Sequence, residues 1–301
     1  MTTAAPSAGP GISYTLPKRR NAVVQFIAVQ PLGSLGLLVI VVMCLGAAFA
    51  PWVAPHDPFE LNYITILAAP TWEHPFGTDN FGRDVFSRVI YGARTALAIG
   101  FLSSLVGCTI GALIGVISAY FGGWIDSIVQ RVMDVIMSFP IIVLALAVVA
   151  VLGKNIILGI DFNLIIAIGL PMIPKVARVV RSSALAIREM PYIDAARACG
   201  YSHGRIVLRH IVPNVVAPYL IMLTAFVAQA ILLEASLSFL GLGVTEPTPS
   251  WGLMLSGSAA DFYLEAPWMI VFPGLAISLA VFAFNLFGDS LRDWLDPKIT
   301  T

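Results

Sequence analysis

Residues 95–121 read TALAIGFLSSLVGCTIGALIGVISAYF, and no position in this run carries a charge. A helix of about 20 such residues crosses the ~30 Å hydrocarbon core of a bilayer. The stretch is long enough to span, and in water it would have no cover. Within it Ser103, Gly107, Gly111, Gly115 and Ala119 recur at every fourth position. Small side chains then line one face of the helix, where another backbone can approach closely. The stripe predicts a helix buried in protein, packed against a helix of its own chain or against a second subunit.

Further apolar blocks flank this one at 32–51, 135–153, 162–180, 211–241 and 266–288. The block at 162–180 is interrupted by Pro171 and Pro174 and closed by Lys175 and Arg178, so a kinked helix with snorkelling basic side chains is expected. Over all 301 residues, 58% are hydrophobic and 11% charged, against roughly 25% charged in an ordinary globular protein. Mean hydropathy is +0.88. A soluble domain is excluded by this balance, and disorder by the apolar content. The 17 basic and 17 acidic residues cancel. No stretch is strongly basic, which removes nucleic acid as a partner. Cys44, Cys108 and Cys199 lie far apart and form neither a disulfide framework nor a metal knuckle. The expected fold is an all-α membrane protein with six transmembrane helices embedded in the lipid bilayer.

Orientation follows the basic residues near the membrane ends. Lys18, Arg19, Arg20, Arg131, Lys175, Arg188, Arg205 and Arg292 fall on one side of a six-span arrangement, whereas Arg83, Arg88, Arg94 and Lys154 fall on the other. Both termini are therefore expected in the cytoplasm, with the loop 52–94 outside.

Between the fourth and fifth blocks lies an inward-facing stretch, 181–210, longer than a compact bundle needs. Pro191 suits the first turn of a helix, Asp194 places negative charge near its positive end, and Gly200 is a ready left-handed terminator. Ala195, Ala196 and Ala198 make that short helix thin enough to lie in another protein's groove. A second helix is expected to start at Ser202 as its cap and to end before Pro213, with Ile206, Val207 and Ile211 on its apolar side.

Asp194-Ala195-Ala196, then Gly200 and Pro213, resembles the EAA loop of permeases in bacterial ABC importers that use a binding protein. Against the Glu-Ala-Ala-x3-Gly-x9-Ile-x-Leu-Pro pattern, this chain has Asp194 for Glu, His210 for Ile and Val212 for Leu. The segments HPFGTD (74–79), GRDVFSR (82–88), YFGG (120–123), EASLSFLGLG (234–243), PTPSWG (247–252) and NLFGDSLRDWLDP (285–297) are similar to the dipeptide, oligopeptide and nickel branch. They match its second, C-type permease subunit.

The resemblance implies a type I ABC importer permease fold in the bacterial inner membrane. It divides the chain into a cytoplasmic tail (1–31), a first helix with its extracytoplasmic loop (32–94), a core (95–290) carrying the coupling loop 181–213, and a cytoplasmic tail (291–301). It also implies four partners besides lipid: a second homologous permease, two ATP-binding subunits and an extracytoplasmic solute-binding protein. The solutes would be peptides or similar small compounds. Tyr192, Asp194, Ala195, Ala196, Arg197, Gly200, Ser202, Arg205 and Pro213 would then form the contact that relays ATPase motion to the membrane helices. The chain has no phosphate-binding loop of its own, since Gly153-Lys154 lacks the first glycine and the hydroxyl residue. No catalytic residue, cofactor or enzyme activity is expected.

Glu234 sits inside the fifth block, where an ionised carboxylate costs about 2.5 kcal/mol or more at mid-membrane. It either lines the translocation path or braces helices. As a proton carrier it would instead make the chain an ion-coupled secondary transporter, the alternative reading. Arg83, Asp84, Arg88 and Arg94 are expected to pair among themselves at the interface. His56, His74, His203 and His210 lie two on each side of the membrane with no ligand spacing, so no metal site is expected.

Overall fold

The computed structural model describes residues 22–157 and 160–295. The basic cluster 18–20, the rest of the first 21 residues and the last six, including Asp296, lie outside the described residues. In chain order the helices are α1 (Ala22–Val29), α2 (Pro31–Ala48), α3 (Ala50–Val53), α4 (Val85–Phe121), α5 (Gly123–Met137), α6 (Ile141–Leu152), α7 (Phe162–Gly169), α8 (Ile173–Arg188), α9 (Pro191–Ala198), α10 (His203–Ile206), α11 (Val212–Phe239), α12 (Trp251–Met254), α13 (Ser258–Asp261) and α14 (Trp268–Leu295). A short antiparallel ladder, β1 (Ile156–Ile157) with β2 (Ile160–Asp161), precedes α7.

The axis of the bundle is α4, which packs along α7, α8 and α11, while α14 packs on α2 and α11. Asp84 caps α4 by accepting the Ser87 backbone N–H at 2.8 Å, and Gly122 closes it. The helix has 37 residues, about 55 Å at 1.5 Å per residue. It therefore starts ten residues before the apolar block at 95. The extra turns are stable because their polar side chains are paired: Arg88 is buried and bonds the Pro58 carbonyl at 3.1 Å. One core cluster joins α4, α7, α8, α9 and α11 through residues such as Cys108, Ile168, Val176, Ile193 and Leu237; another joins α2, α4, α11 and α14 around Trp251. Outside, Leu35, Leu38 and Val42 of α2 and Leu275, Leu279 and Phe282 of α14 are exposed. Rows of exposed apolar side chains of this kind fit lipid or another subunit, not water.

Among the described residues five helices are long and apolar enough to span by themselves, and the bent pair α5–α6, taken as one broken span, brings the number to six. The expected span 135–153 is thus corrected: it is the end of α5 and all of α6, meeting at a 93° bend. Pro140 disfavours helical backbone at Phe139, and the Ser138 hydroxyl turns back to the Val135 carbonyl at 2.7 Å. The block at 162–180 belongs to one span, Phe162–Arg188, without a break of the α5–α6 kind. Leu170–Met172 form a single 3-10 turn between α7 and α8, and the helix runs on to Arg188. Pro171 and Pro174 each fall in the first turn of a new segment, where a missing N–H costs nothing.

The helix after Ser202 also differs from expectation, because it does not stop before Pro213. It continues from His203 to Phe239 as one 37-residue span. Val207–Ile211 form a π-helical turn. That wider turn shifts the hydrogen-bond register ahead of Pro213, which lacks an N–H and would otherwise crowd the preceding carbonyl. The Asn214 side chain donates to the His210 carbonyl at 2.6 Å, supplying the donor that the register change takes away. Because the spans run on to Arg188 and back to His203, the loop between them shrinks to little more than α9.

Candidate functional site

The arm between α8 and α10 begins with an extended Met190 (ψ 139°) followed by Pro191 at the first helical position. It ends in a Schellman closure. Gly200 has φ +76°, its N–H donates to the Arg197 carbonyl at 2.9 Å, and the Tyr201 N–H donates to the Ala196 carbonyl at 3.1 Å. The left-handed backbone at Gly200 is one that a side chain would strain. Ile193 and Ala196, three residues apart, are buried in the core of the chain itself, while Tyr192, Asp194, Ala195, Arg197 and Ala198 are exposed. Ala196 is therefore not part of a surface offered to another protein. It belongs to the seat that fixes the arm. Asp194 and Arg197 pair with each other at 3.0 Å on the open face, a contact worth little in water.

Behind the arm, Tyr120 at the end of α4 hydrogen-bonds His203 Nδ1 at 2.7 Å, and Arg188 donates to the Ala119 carbonyl at 2.7 Å. The Arg205 guanidinium lies 4.3 Å over the Tyr201 ring. Ser202 holds the cap position of α10 with extended backbone but makes no side-chain cap bond. Its carbonyl alone accepts from Ile206 at 3.0 Å. Pro213 lies in the first turn of α11, inside the long helix. Arg181 of α8 donates to Asp126 of α5 at 2.6 Å, tying the bent pair to the same platform. Sequence reasoning missed Tyr120 and Arg188 as supports, because their partners lie 83 and 69 residues away in the chain.

The small-residue stripe of α4 faces α7 and α8 of the same chain. A Cβ on Gly107 would stand 2.5 Å from the Gly169 carbonyl oxygen, on Gly111 2.7 Å from that of Ile173, and on Gly115 2.4 Å from that of Ala177. No side chain fits between these backbones. Ser103 and Ala119, fully buried, extend the seam at either end. The α4–α8 contact thus leads from the membrane interior down to Ala119 and Tyr120, and through them to the arm.

At the opposite end of α4, Arg83 bonds Asp79 at 2.7 Å and Glu246 at 2.8 Å, and Arg88 reaches Glu246 at 3.4 Å. Burial works against the Arg83 cation, but hydrogen bonds and charge from Glu246 and Asp79 outweigh it and hold the guanidinium above its ordinary value. These arginines do not pair within the set expected: Arg83 and Arg88 find the nearby Asp79 and, from the distant loop after α11, Glu246, while Asp84 pairs with His74. Arg94 instead donates to the Ala47 carbonyl at 3.1 Å and stitches α4 to α2. Glu234 is fully buried near the end of α11, where its Oε1 accepts from Ser238 at 2.7 Å and from Ser250 at 2.8 Å. Trp251 follows Ser250, and its indole donates to the Val89 carbonyl at 2.9 Å. Glu234 is thereby bonded to the start of α12, and the bond on to α4 is Trp251's. His56 and His74 are neighbours here, their rings 4.6 Å apart.

Comparison with known proteins follows the same lines. Residues 111–301 match the model of the binding-protein-dependent transport system inner membrane component, and residues 29–70 match the N-terminal transmembrane domain of oligopeptide transport permease C. The chain is 41% identical over 299 residues, 99% of its length and 96% of the relative's, to the dipeptide transport system permease protein DppC of Alkalihalophilus pseudofirmus. It is 44% identical over 271 residues to the glutathione transport system permease protein GsiD of Escherichia coli O6:K15:H31, covering 90% of this chain and 88% of that one. Among solved structures, the inward-facing MetNI methionine ABC transporter matches with a TM-score of 0.54 at 19% identity, over 70% of this chain and 97% of that one, a likeness of fold. An ion-coupled carrier working through Glu234 is thereby displaced, since this family draws on ATP hydrolysed by separate subunits. The chain belongs to the binding-protein-dependent transport system inner membrane components: it is a multi-pass permease subunit of an ABC importer, works with ATPase and binding-protein partners, and is not itself an enzyme.

Proposed function

We propose that this permease forms half of a translocation path for peptides or similar small solutes, pairs with a second homologous permease, and is driven by two ATPase subunits through α9. The exposed face of α9, set on a buried Ile193–Ala196 seat, is the observation that carries the coupling role. A ligand shifts a two-state equilibrium only by its differential affinity for the two states. ATP bound elsewhere must therefore act through a rigid contact, and an arm closed by a Schellman turn and anchored in the core is such a contact. Tyr192, Asp194, Ala195 and Arg197 touch the ATPase in this reading, while Ala196, Gly200, Ser202, Arg205 and Pro213 shape or hold the arm. The α9 end faces the cytoplasm, as do residues 1–31 and 291–301, and the 52–84 loop faces outward. The peptide-like substrate rests on relatives named for dipeptide, peptide and glutathione transport.

The test is cross-linking in vesicles carrying the assembled importer. Single cysteines at Tyr192 and Arg197, in a background without Cys44, Cys108 and Cys199, should cross-link to an ATPase subunit with a yield that changes between ATP-bound and nucleotide-free states. Labelling of these cysteines by an impermeant reagent applied from outside intact cells would defeat both the orientation and the coupling role.

A further inference from the structure

At the loop end of α4, two segments distant in sequence bring His56, Glu73 and His74 together, each offering one ligand atom, all within 4.8 Å of one another. We propose that these side chains bind a divalent cation of the borderline class, such as Zn²⁺, with Asp84 orienting one of the imidazoles. The inference concerns the loop 54–84 alone and does not depend on the coupling role of α9.

Several independent features converge on this cluster. His74 Nδ1 is held by Asp84 Oδ1 at 3.0 Å, while the other Asp84 oxygen caps α4. A carboxylate that fixes one imidazole nitrogen is the usual support behind a metal-binding histidine. His56 Nδ1 is buried and has no hydrogen-bond partner, and its nearest carboxylate oxygen, Asp84 Oδ2, stands 3.9 Å away. A buried polar nitrogen left this way is costly unless something fills the gap. The backbones beneath both rings are pinned, His56 N–H to Ser87 Oγ at 3.2 Å and His74 N–H to Thr71 Oγ1 at 3.0 Å. The rings are therefore placed by the fold.

The surroundings select the charge of the guest. A cavity of about 190 Å³ opens here, lined by Asp57, Glu60 and Glu73 as well as His56, His74 and Asp84, and no lysine or arginine lines it. The surrounding carboxylates favour a cation, and a nitrogen–oxygen donor set suits Zn²⁺, Cu²⁺ or Ni²⁺ better than Ca²⁺ or Mg²⁺. A tetrahedral ion with bonds near 2.1 Å sets its ligands about 3.4 Å apart. Contraction from the present spacing is within reach of the exposed Glu73 and half-buried His56 side chains. A bound ion would lock the loop onto the first turn of α4.

The experiment uses full-length permease, affinity tag removed, with Cys44→Ser and Cys199→Ser so that exposed thiols do not compete. The protein is stripped with chelator, then titrated with Zn²⁺ by calorimetry and with Co²⁺ by visible absorption. The expected result is one saturable site per chain, intense Co²⁺ bands of a low-symmetry site, and a metal-dependent rise in melting temperature. His56→Ala and Glu73→Gln touch no buried bond that the fold needs. Each should weaken binding roughly 10- to 100-fold and abolish the thermal shift while the metal-free melting temperature stays put. His74→Ala removes the Asp84 bond as well and is read only beside these two. Absence of saturable binding to the parent protein, or equal affinity in the parent and His56→Ala, overturns the proposal.

Discussion

At the start of α4, Arg83, Arg88, Asp79 and Glu246 spend their charges on one another, and Asp84 is shared between a histidine and the helix cap. At the end of the same helix the polar side chains support rather than cancel. Tyr120 and the Ala119 carbonyl hold the base of α9, while the Asp194–Arg197 face points into solvent with little holding it. One end is a clasp that fixes a loop. The other is a seated arm with an unspent outer surface. Between them the glycine seam of α4 leaves no space for side chains, so movement at the arm and movement in the membrane cannot be independent.

The seam is the strongest way to break this picture. Gly115→Leu would drive a side chain into the Ala177 carbonyl, a backbone atom that cannot step aside. Overpacking of a fixed contact costs typically about 1–3 kcal/mol and more against backbone. We expect Gly115→Leu to yield little folded permease and no uptake, and recovery of wild-type melting temperature and transport would show that the seam is not needed.

The two faces of α9 sharpen the contrast next. Ala195→Trp on the open face should leave the melting temperature unchanged yet cut ATP-driven uptake about tenfold or more, within the range of ordinary allosteric coupling energies. Ala196→Trp on the buried face should instead lower the melting temperature first. If both substitutions destabilise alike, or if Ala195→Trp transports normally, the division between seat and surface is wrong.

The clasp is the next target. Arg83→Met leaves Asp79 without its closest cation, and a broken buried pair costs about 3–5 kcal/mol, less here because the Glu246 side chain is 48% exposed. The expected result is faster proteolysis of the loop 54–84 with the α9 end still protected. Uniform proteolysis of both ends would mean that they unfold as one unit.

Glu234→Gln should have the smallest effect. The amide oxygen can still accept from Ser238 and Ser250, so uptake should stay within about twofold and stability within about 1 kcal/mol. Ser250→Ala removes one of those bonds and should cost roughly 0.5–1.5 kcal/mol. Loss of transport in Glu234→Gln with unchanged melting temperature would restore a role for the charge itself.

Local features of the arm were legible because their causes are local. Pro191 begins a helix and Gly200 ends one by backbone sterics that hold wherever the chain is placed. The apolar blocks likewise announced membrane spans, since nothing but lipid or protein can cover them. Bounds were less legible where polar residues find distant partners. Arg88 was expected to be paired, but that Pro58 and Glu246 let it sit buried inside α4 is seen only in the fold, so the span was expected to begin at residue 95 and not at Val85. The continuation of a helix through Pro213 was hidden for a related reason: a π turn and the Asn214 side chain repair the ladder.

Composition and short-range pattern by themselves determined that the chain lives in a bilayer, that α4 presents a small-residue face and that a capped helix stands between the fourth and fifth blocks. Only tertiary structure decided that the small face meets α7 and α8 of the same chain, that Ala196 points inward, and that His56 joins His74. The reason is physical. Hydropathy and backbone preference are properties of a residue and its neighbours, whereas a contact across tens of residues exists only once the helices between them have packed.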